Sequence, residues 1–365
     1  MNATTISTTL LTLFALHGAA QAQNLQLYGR LNLGLERMHL HGGAGDASGA
    51  SPNRTRLSNY RSVFGVRASE AIAPGLHVLL QVEGTLSPDS GAGAFAARDT
   101  RVGLEGRWGT LFAGNWTTPY TSSSAALDPF YPTTAGYMSI MDNGSAATAD
   151  NVSDTTSFDR RQQNSVHYWS PAWNGVSLRL AHGLNEERPA SGARPSLTSS
   201  ALLFERGPWY AALAWERHRH YRGPGLNDDA IKLAGSHQLW SLKLAAAVER
   251  LRYRSRGAPL ERTAYYVSAQ RQFGAHGVRL GVAKAGDGKG GDGAPVGFIT
   301  PVRMSGGVHA TVGYDYAFSK RTSVFAWYTR LHNARRATID FAINGVDGGA
   351  GATASGAVLG MRHAF

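Results

Sequence analysis

The chain has 365 residues, with 44 glycines, no cysteine, and 36 Lys and Arg against 25 Asp and Glu. The missing thiols exclude a disulfide framework and cysteine-built metal sites, and after residue 22 no run of about 18 apolar residues exists, which excludes helical membrane spans. The basic excess, 36 − 25 = 11, requires either an external anionic partner or an internal surface that favours anions.

Residues 1–22 contain no Lys, Arg, Asp or Glu, hold an apolar core over 10–16 and close on Ala20-Gln-Ala22, a small-x-small cleavage pattern. A leader of 22 residues is expected there, leaving a mature chain of 365 − 22 = 343 residues, 23–365. The leader lacks the usual positive start, its only charge coming from the α-amine and His17. Strict alternation then recurs in segments of about ten residues, the length of a tilted membrane strand. Leu25, Leu27, Leu31, Leu33 and Leu35 share one face, and Gln26, Tyr28, Arg30, Asn32 and Glu36 the other. Val78, Leu80 and Val82 oppose His77, Gln81 and Glu83; Val176, Leu178 and Leu180 oppose Ser177 and Arg179; Leu242, Leu244, Ala246 and Val248 oppose Lys243 and Glu249. An apolar face with a charged reverse is the pattern of a barrel with lipid outside and water inside.

Short turns at 106–109, 172–175, 206–208, 274–277 and 319–322 separate long connections at 38–54, 117–160, 186–196, 286–302 and 333–354. Such asymmetry places the turns in the periplasm and the loops outside the cell. Counting segments between the breaks gives about sixteen strands, with fourteen or eighteen left open because 202–204 and 324–331 are apolar on both parities. The end, Ala357, Leu359, Met361, His363 and Phe365, is a one-sided strand finishing on an aromatic residue. Pairing it with the first strand closes the cylinder, with Phe365 as the barrel-closing residue, and only a closed sheet satisfies every backbone group in lipid. The fold class is therefore an all-β transmembrane antiparallel barrel of a Gram-negative outer membrane.

Particular fragments now carry a resemblance. Leu27-Tyr-Gly29, Leu57-Ser-Asn59, Phe64-Gly-Val-Arg-Ala-Ser-Glu70, Val102-Gly-Leu104, Gly109-Thr110, Asp128-Pro-Phe130, Tyr137-Met-Ser-Ile140, Asn164-Ser-Val-His-Tyr-Trp-Ser-Pro171, Tyr314-Asp-Tyr-Ala-Phe-Ser-Lys-Arg-Thr322 and Gly360-Met-Arg-His-Ala-Phe365 occur in this order. Together they resemble the general diffusion porins of the β-proteobacterial and neisserial type. The resemblance implies a homotrimer, a terminal strand read by the barrel-assembly machinery, lipid and lipopolysaccharide around the barrel, and passage of small hydrophilic solutes. It also implies a third loop, 117–160, folded inward to narrow the pore. Three positions depart from the family: Val63 stands where Arg is common, Gly114-Asn-Trp116 replaces Gly-Arg-Gln, and His167 replaces a further Arg. Arg61, on the parity of Val63, is placed to compensate.

In that frame, Asp128 and Asp142 are the expected acids of the narrowing, ahead of Asp150, Asp154 and Asp159. Arg30, Arg61, Arg67, Arg98, Arg101 and Arg161 form the expected basic wall, joined by Arg160 at the loop's end. The charge excess then points to anion preference. No metal, cofactor or nucleic acid is expected. The Gly286–Gly291 string lacks a following helix, and His39 with His41, His218 with His220, and Asp287 with Asp292 are too sparse for a metal centre. The basic runs 217–222 and 250–256 sit at loop level, where they can meet lipid phosphates. Competing readings are a substrate-specific channel, which needs an aromatic track, and a barrel enzyme. For the enzyme, Asn164, Ser165 and His167 are the only clustered candidates, and adjacent residues of a strand face opposite ways.

Overall fold

The computed structural model describes residues 24–43, 53–149, 155–186, 189 and 192–365. The expected leader, Asp150 and Asp154 lie outside these described residues. In chain order the elements are β1 (Asn24–His41), β2 (Asn53–Asn59), β3 (Ser62–Ala73), β4 (Leu76–Ser87), β5 (Ala92–Ala94), β6 (Thr100–Gly106) and β7 (Gly109–Thr117). The third loop follows with α1 (Pro119–Ala125), two 3-10 turns (Tyr137–Ser139, Met141–Asn143) and β8 (Ala146–Ala149). The chain continues through β9 (Arg160–Trp169), β10 (Val176–Gly183), β11 (Ser196–Arg206), β12 (Trp209–Arg219), β13 (Asn227–Leu239) and β14 (Leu242–Tyr253). It finishes with β15 (Leu260–Phe273), β16 (His276–Ala285), β17 (Gly307–Ala317), β18 (Thr322–Asn333) and β19 (Thr353–Ala364).

Both β2 and β3 pair with β1, and both β5 and β6 with β4, so each couple forms one interrupted stave. The first interruption falls at Arg61, whose φ of 52° takes the chain out of extended geometry. With β8 left in the third loop, the staves make a closed antiparallel barrel of 16 strands. Closure runs through β1 and β19, in register from Arg30 opposite Ala364 to His41 opposite Thr353. Beyond that ladder the Gly29 and Phe365 amides each donate to the other's carbonyl at 3.1 Å. A Cβ at position 29 would fall 2.3 Å from the Phe365 ring, so a side chain there would displace the ring that glycine lets lie over the seam.

Alternation sorts the two faces. Leu25, Leu31 and Leu35 on β1, Val102 and Leu104 on β6, Leu213 on β12 and Leu233 on β13 are exposed, forming part of an apolar outer belt. The opposite parity holds Asn32, Glu36, Ala212, Lys232, Ala234, Glu249 and Arg262, all buried within the cylinder. The two segments that were apolar on both parities have a physical explanation. Phe325 and Trp327 of β18 are buried on the inner parity with Tyr60, Phe130 and Ala135, and Leu203 of β11 is buried with Tyr120 and Phe158. In each case residues of the third loop cover them. Full burial of such side chains contributes about 1.5–3 kcal/mol each.

Candidate functional site

The third loop leaves β7 through a short helix. Pro119 occupies the first helical turn, and the Thr118 hydroxyl accepts from the Thr121 amide at 3.3 Å. From there the loop is bonded to one inner-parity residue after another. The Tyr120 hydroxyl donates to Glu249 at 3.0 Å, and the Asp142 amide donates to the same carboxylate at 2.7 Å. Lys232 donates to Asp142 at 2.5 Å, Arg262 to the Ile140 carbonyl at 2.6 Å, and Tyr266 to Asp128 at 2.7 Å. Ser268 donates to the Leu127 carbonyl at 2.7 Å, Arg279 to the Pro129 carbonyl at 2.9 Å, and Thr311 to the Ala135 carbonyl at 3.0 Å. Finally Thr134 donates to Glu36 at 2.7 Å. With the Tyr120 amide donating to the Ser199 hydroxyl at 3.1 Å and the Tyr210 hydroxyl donating to the Ser123 carbonyl, the attachments run from β11 to β17 and on to β1.

The two acids favoured by sequence therefore occupy anchoring positions. Asp128 is buried and accepts from the Phe130 amide at 3.0 Å and the Tyr137 amide at 2.7 Å as well as from Tyr266. Burial pushes its carboxyl up to about 6, against the opposing pull of those donors. Asp142 is also fully buried, and desolvation raises it well above the usual carboxylate range despite the adjacent Lys232 ammonium. Neither carboxylate faces open water.

The basic residues gather on the remaining side of the cylinder, where Arg61 also meets the loop. Arg61 reaches the Tyr131 hydroxyl at 3.3 Å, the Ser145 hydroxyl, and Asp159 at 3.6 Å. Arg30 donates to the Arg61 carbonyl at 3.0 Å, Arg98 pairs with Glu83 at 2.8 Å, and Arg161 pairs with Asp99 at 2.6 Å. Arg30 and Arg98 both lie within electrostatic range of Arg61, and Arg98 within range of Arg161, so the four form one cluster. Arg67 stands apart, bonded to Gln26 at 2.6 Å. Arg101 is enclosed by aromatic rings, and Arg160 lies over Tyr221 with 4.8 Å between the guanidinium carbon and the ring centre. Arg61, two residues before the departure at Val63, has a left-handed backbone with φ of 52° and its side chain meets the loop.

Lys232, Glu249, Arg262, Tyr266 and Glu36 escaped the sequence reading as site residues. Their signal was present: each is a polar residue at an inner position of a strand, and Ala230, Ala234, Ala245, Ala247 and Ala264 beside them are small and buried. Those small side chains leave room beside Lys232, Glu249 and Arg262 for the loop residues bonded to them. The enzyme candidates behave otherwise. Ser165 bonds His167 at 2.9 Å, but both are buried and the His167 Nδ1 has no partner to orient the ring. Among the described residues no group of three or more His, Cys, Asp or Glu could hold a metal ion. Asp287 accepts from the amides of Met304, Ser305 and Gly306 at 2.9–3.0 Å, which makes it an anchor of its own loop.

A closed cylinder of 16 strands, apolar outside and polar within, is a transmembrane channel of the outer-membrane class. A profile of the Gram-negative porins matches residues 7–336, and the chain belongs to that family. It is 25% identical to outer membrane porin protein 32 of Delftia acidovorans, over 97% of this chain and 98% of that one. It is 24% identical to the major outer membrane protein P.IB of Neisseria lactamica, with 97% and 98% covered. Among solved structures, the anion-selective porin of Comamonas acidovorans superimposes with a TM-score of 0.77 at 22% identity, covering 94% of this chain and 99% of that one. The OmpT trimer form of Vibrio cholerae gives 0.66 at 15% identity, covering 94% and 99%. The protein is an outer-membrane porin of a Gram-negative bacterium, a channel for passive diffusion of small hydrophilic solutes.

Proposed function

We propose that this porin prefers anions, with the third loop folded inward as its narrowing and Arg30, Arg61, Arg98 and Arg161 as the charged wall. The observation that carries the reading is an imbalance at the site. Four guanidiniums face three carboxylates, Glu83, Asp99 and Asp159, while Asp128 and Asp142 are withdrawn into buried contacts. Low-dielectric walls focus the field of the remaining positive charge on the lumen, lowering the barrier for anions. One solved structure of the same fold is itself an anion-selective porin.

The zero-current potential of the reconstituted protein across a KCl gradient tests this, with the sign of chloride permeation expected. A cation-signed potential would overturn it.

The same reading includes a homotrimer, as one neighbour of the fold is described in a trimer form, and export by a cleaved leader over residues 1–22. The terminal strand is the element the barrel-assembly machinery would read, with Phe365 closing the sheet. Lipopolysaccharide is the outer partner, met by the exposed Arg250 and Arg252 near the extracellular end of β14. Light scattering of the detergent-purified protein checks the first of these. A monomer mass would exclude the trimer.

A further inference from the structure

The wall made by β6, β7, β9 and β10 carries a group of side chains that neither anchors the loop nor joins the four-arginine cluster. Arg101 lies on the inner parity of β6, between the outward Val102 and the preceding residue. Its guanidinium carbon is 4.4 Å from the ring centre of Trp116, 4.7 Å from Phe112 and 5.2 Å from Trp169. Arg179 of β10, opposite Trp169 in the ladder, lies 4.9 Å from the same indole. The rings brace one another edge to face: Phe112 with Trp169 at 5.0 Å and 83°, Phe112 with Trp116 at 5.2 Å and 68°. Behind them Phe112 stacks on His167 at 4.8 Å, so the wall is backed and stiff.

Two facts separate this wall from the paired arginines Arg61, Arg98 and Arg161. Neither Arg101 nor Arg179 forms an ion pair among the described residues, whereas those three each have a carboxylate. The Nε and Nη1 of Arg101 are also buried without any hydrogen-bond partner. Ring faces attract a guanidinium but leave its charge uncompensated, and a buried donor without an acceptor is costly. An apolar side chain would fill that position at less expense if filling it were the only task. Trp116 and Trp169 are only half-buried, which leaves indole surface beside the cations.

We infer that this wall is a binding site for aromatic monocarboxylates: the carboxylate meets Arg101 and Arg179, and the planar ring lies against Trp116 and Trp169. The charge count selects the monoanion. Glu105 is within electrostatic range of Arg101, so two cations less one anion leave a single positive charge. Asp99, also in range, is already held by Arg161. This inference rests on the channel reading and adds a solute class to it.

Single-channel recordings at constant ionic strength, with chloride partly replaced by benzoate, cyclohexanecarboxylate or acetate, test it. Benzoate is expected to reduce conductance along a saturating curve, binding about fivefold more tightly than cyclohexanecarboxylate, the scale of one added aromatic contact. Trp169→Leu should erase that difference, and Arg101→Gln should weaken block by all three anions. Equal effects of the three anions on a conducting, anion-signed wild-type channel would overturn the site and leave the pore reading standing. A protein that conducts nothing would overturn both. The wild-type comparison decides even where a variant does not insert.

Discussion

Lys232 has no exposed surface, and its ammonium lies 2.5 Å from Asp142, 3.9 Å from Glu249 and 4.0 Å from the centre of the Tyr120 ring. One cation thus holds two acids and an aromatic face where loop meets strand. Removing one member of a buried pair costs about 3–5 kcal/mol, because the other charges stay buried and unpaired. Lys232→Met is therefore expected to release the loop, seen as a higher and noisier single-channel conductance. Adding Asp142→Asn to the same chain should restore part of the quiet behaviour. Asp128 provides a pH test. Its folded-state carboxyl, near 6, lies above the unfolded 3.8, so the folded state binds the proton more tightly. Its contribution to stability is complete below pH 3.8 and is lost as pH rises through 6. Thermal unfolding of the barrel should show that slope between about pH 4 and 6, and Asp128→Asn should flatten it.

At the level of elements, the strands were legible because alternation needs no partner to be seen: Leu25 to Leu35 states which face meets lipid before any neighbour is known. What hid the docking surface was that its evidence is distributed. Leu203, Phe325 and Trp327 look like errors in the pattern until Tyr120, Phe158 and Phe130, some 45 to 197 positions away, are seen to cover them. The arginines were legible as a set but their roles were not, since the φ of Arg61 and the rings around Arg101 arise only in the folded chain. Phe130 packs edge-on against Trp327 at 5.8 Å. Phe130→Ala should cost about 3–5 kcal/mol of local packing and raise the rate at which neutral sugars swell loaded liposomes. At the seam, deleting Phe365 removes the last pair of backbone bonds and the ring over Gly29. The expected result is a lower yield of assembled barrels whose conductance, once inserted, matches the wild type.

Across the whole molecule, the formal charge of +11 acts through water and is open to screening. The Debye length falls from about 30 Å at 0.01 M to about 3 Å at 1 M salt, so the anion preference should be strong in dilute KCl and fade toward 1 M. Arg61→Ser should shrink the zero-current potential more than Arg217→Ser, since Arg217 lies at the rim, paired with Asp229 at 2.7 Å. The loop's attachments also divide the circumference. Apart from the contacts of Arg61, they run from β11 through β17 to β1, and leave the arc from β3 to β10 for the arginine cluster and the aromatic wall. In the proposed pore the water path is consequently eccentric, a crescent against one arc of the cylinder. A solute travels along a surface, so its orientation and residence are set by one continuous strip of side chains. Substitutions on that strip should alter what passes, and substitutions on the opposite arc should alter only how firmly the aperture keeps its shape.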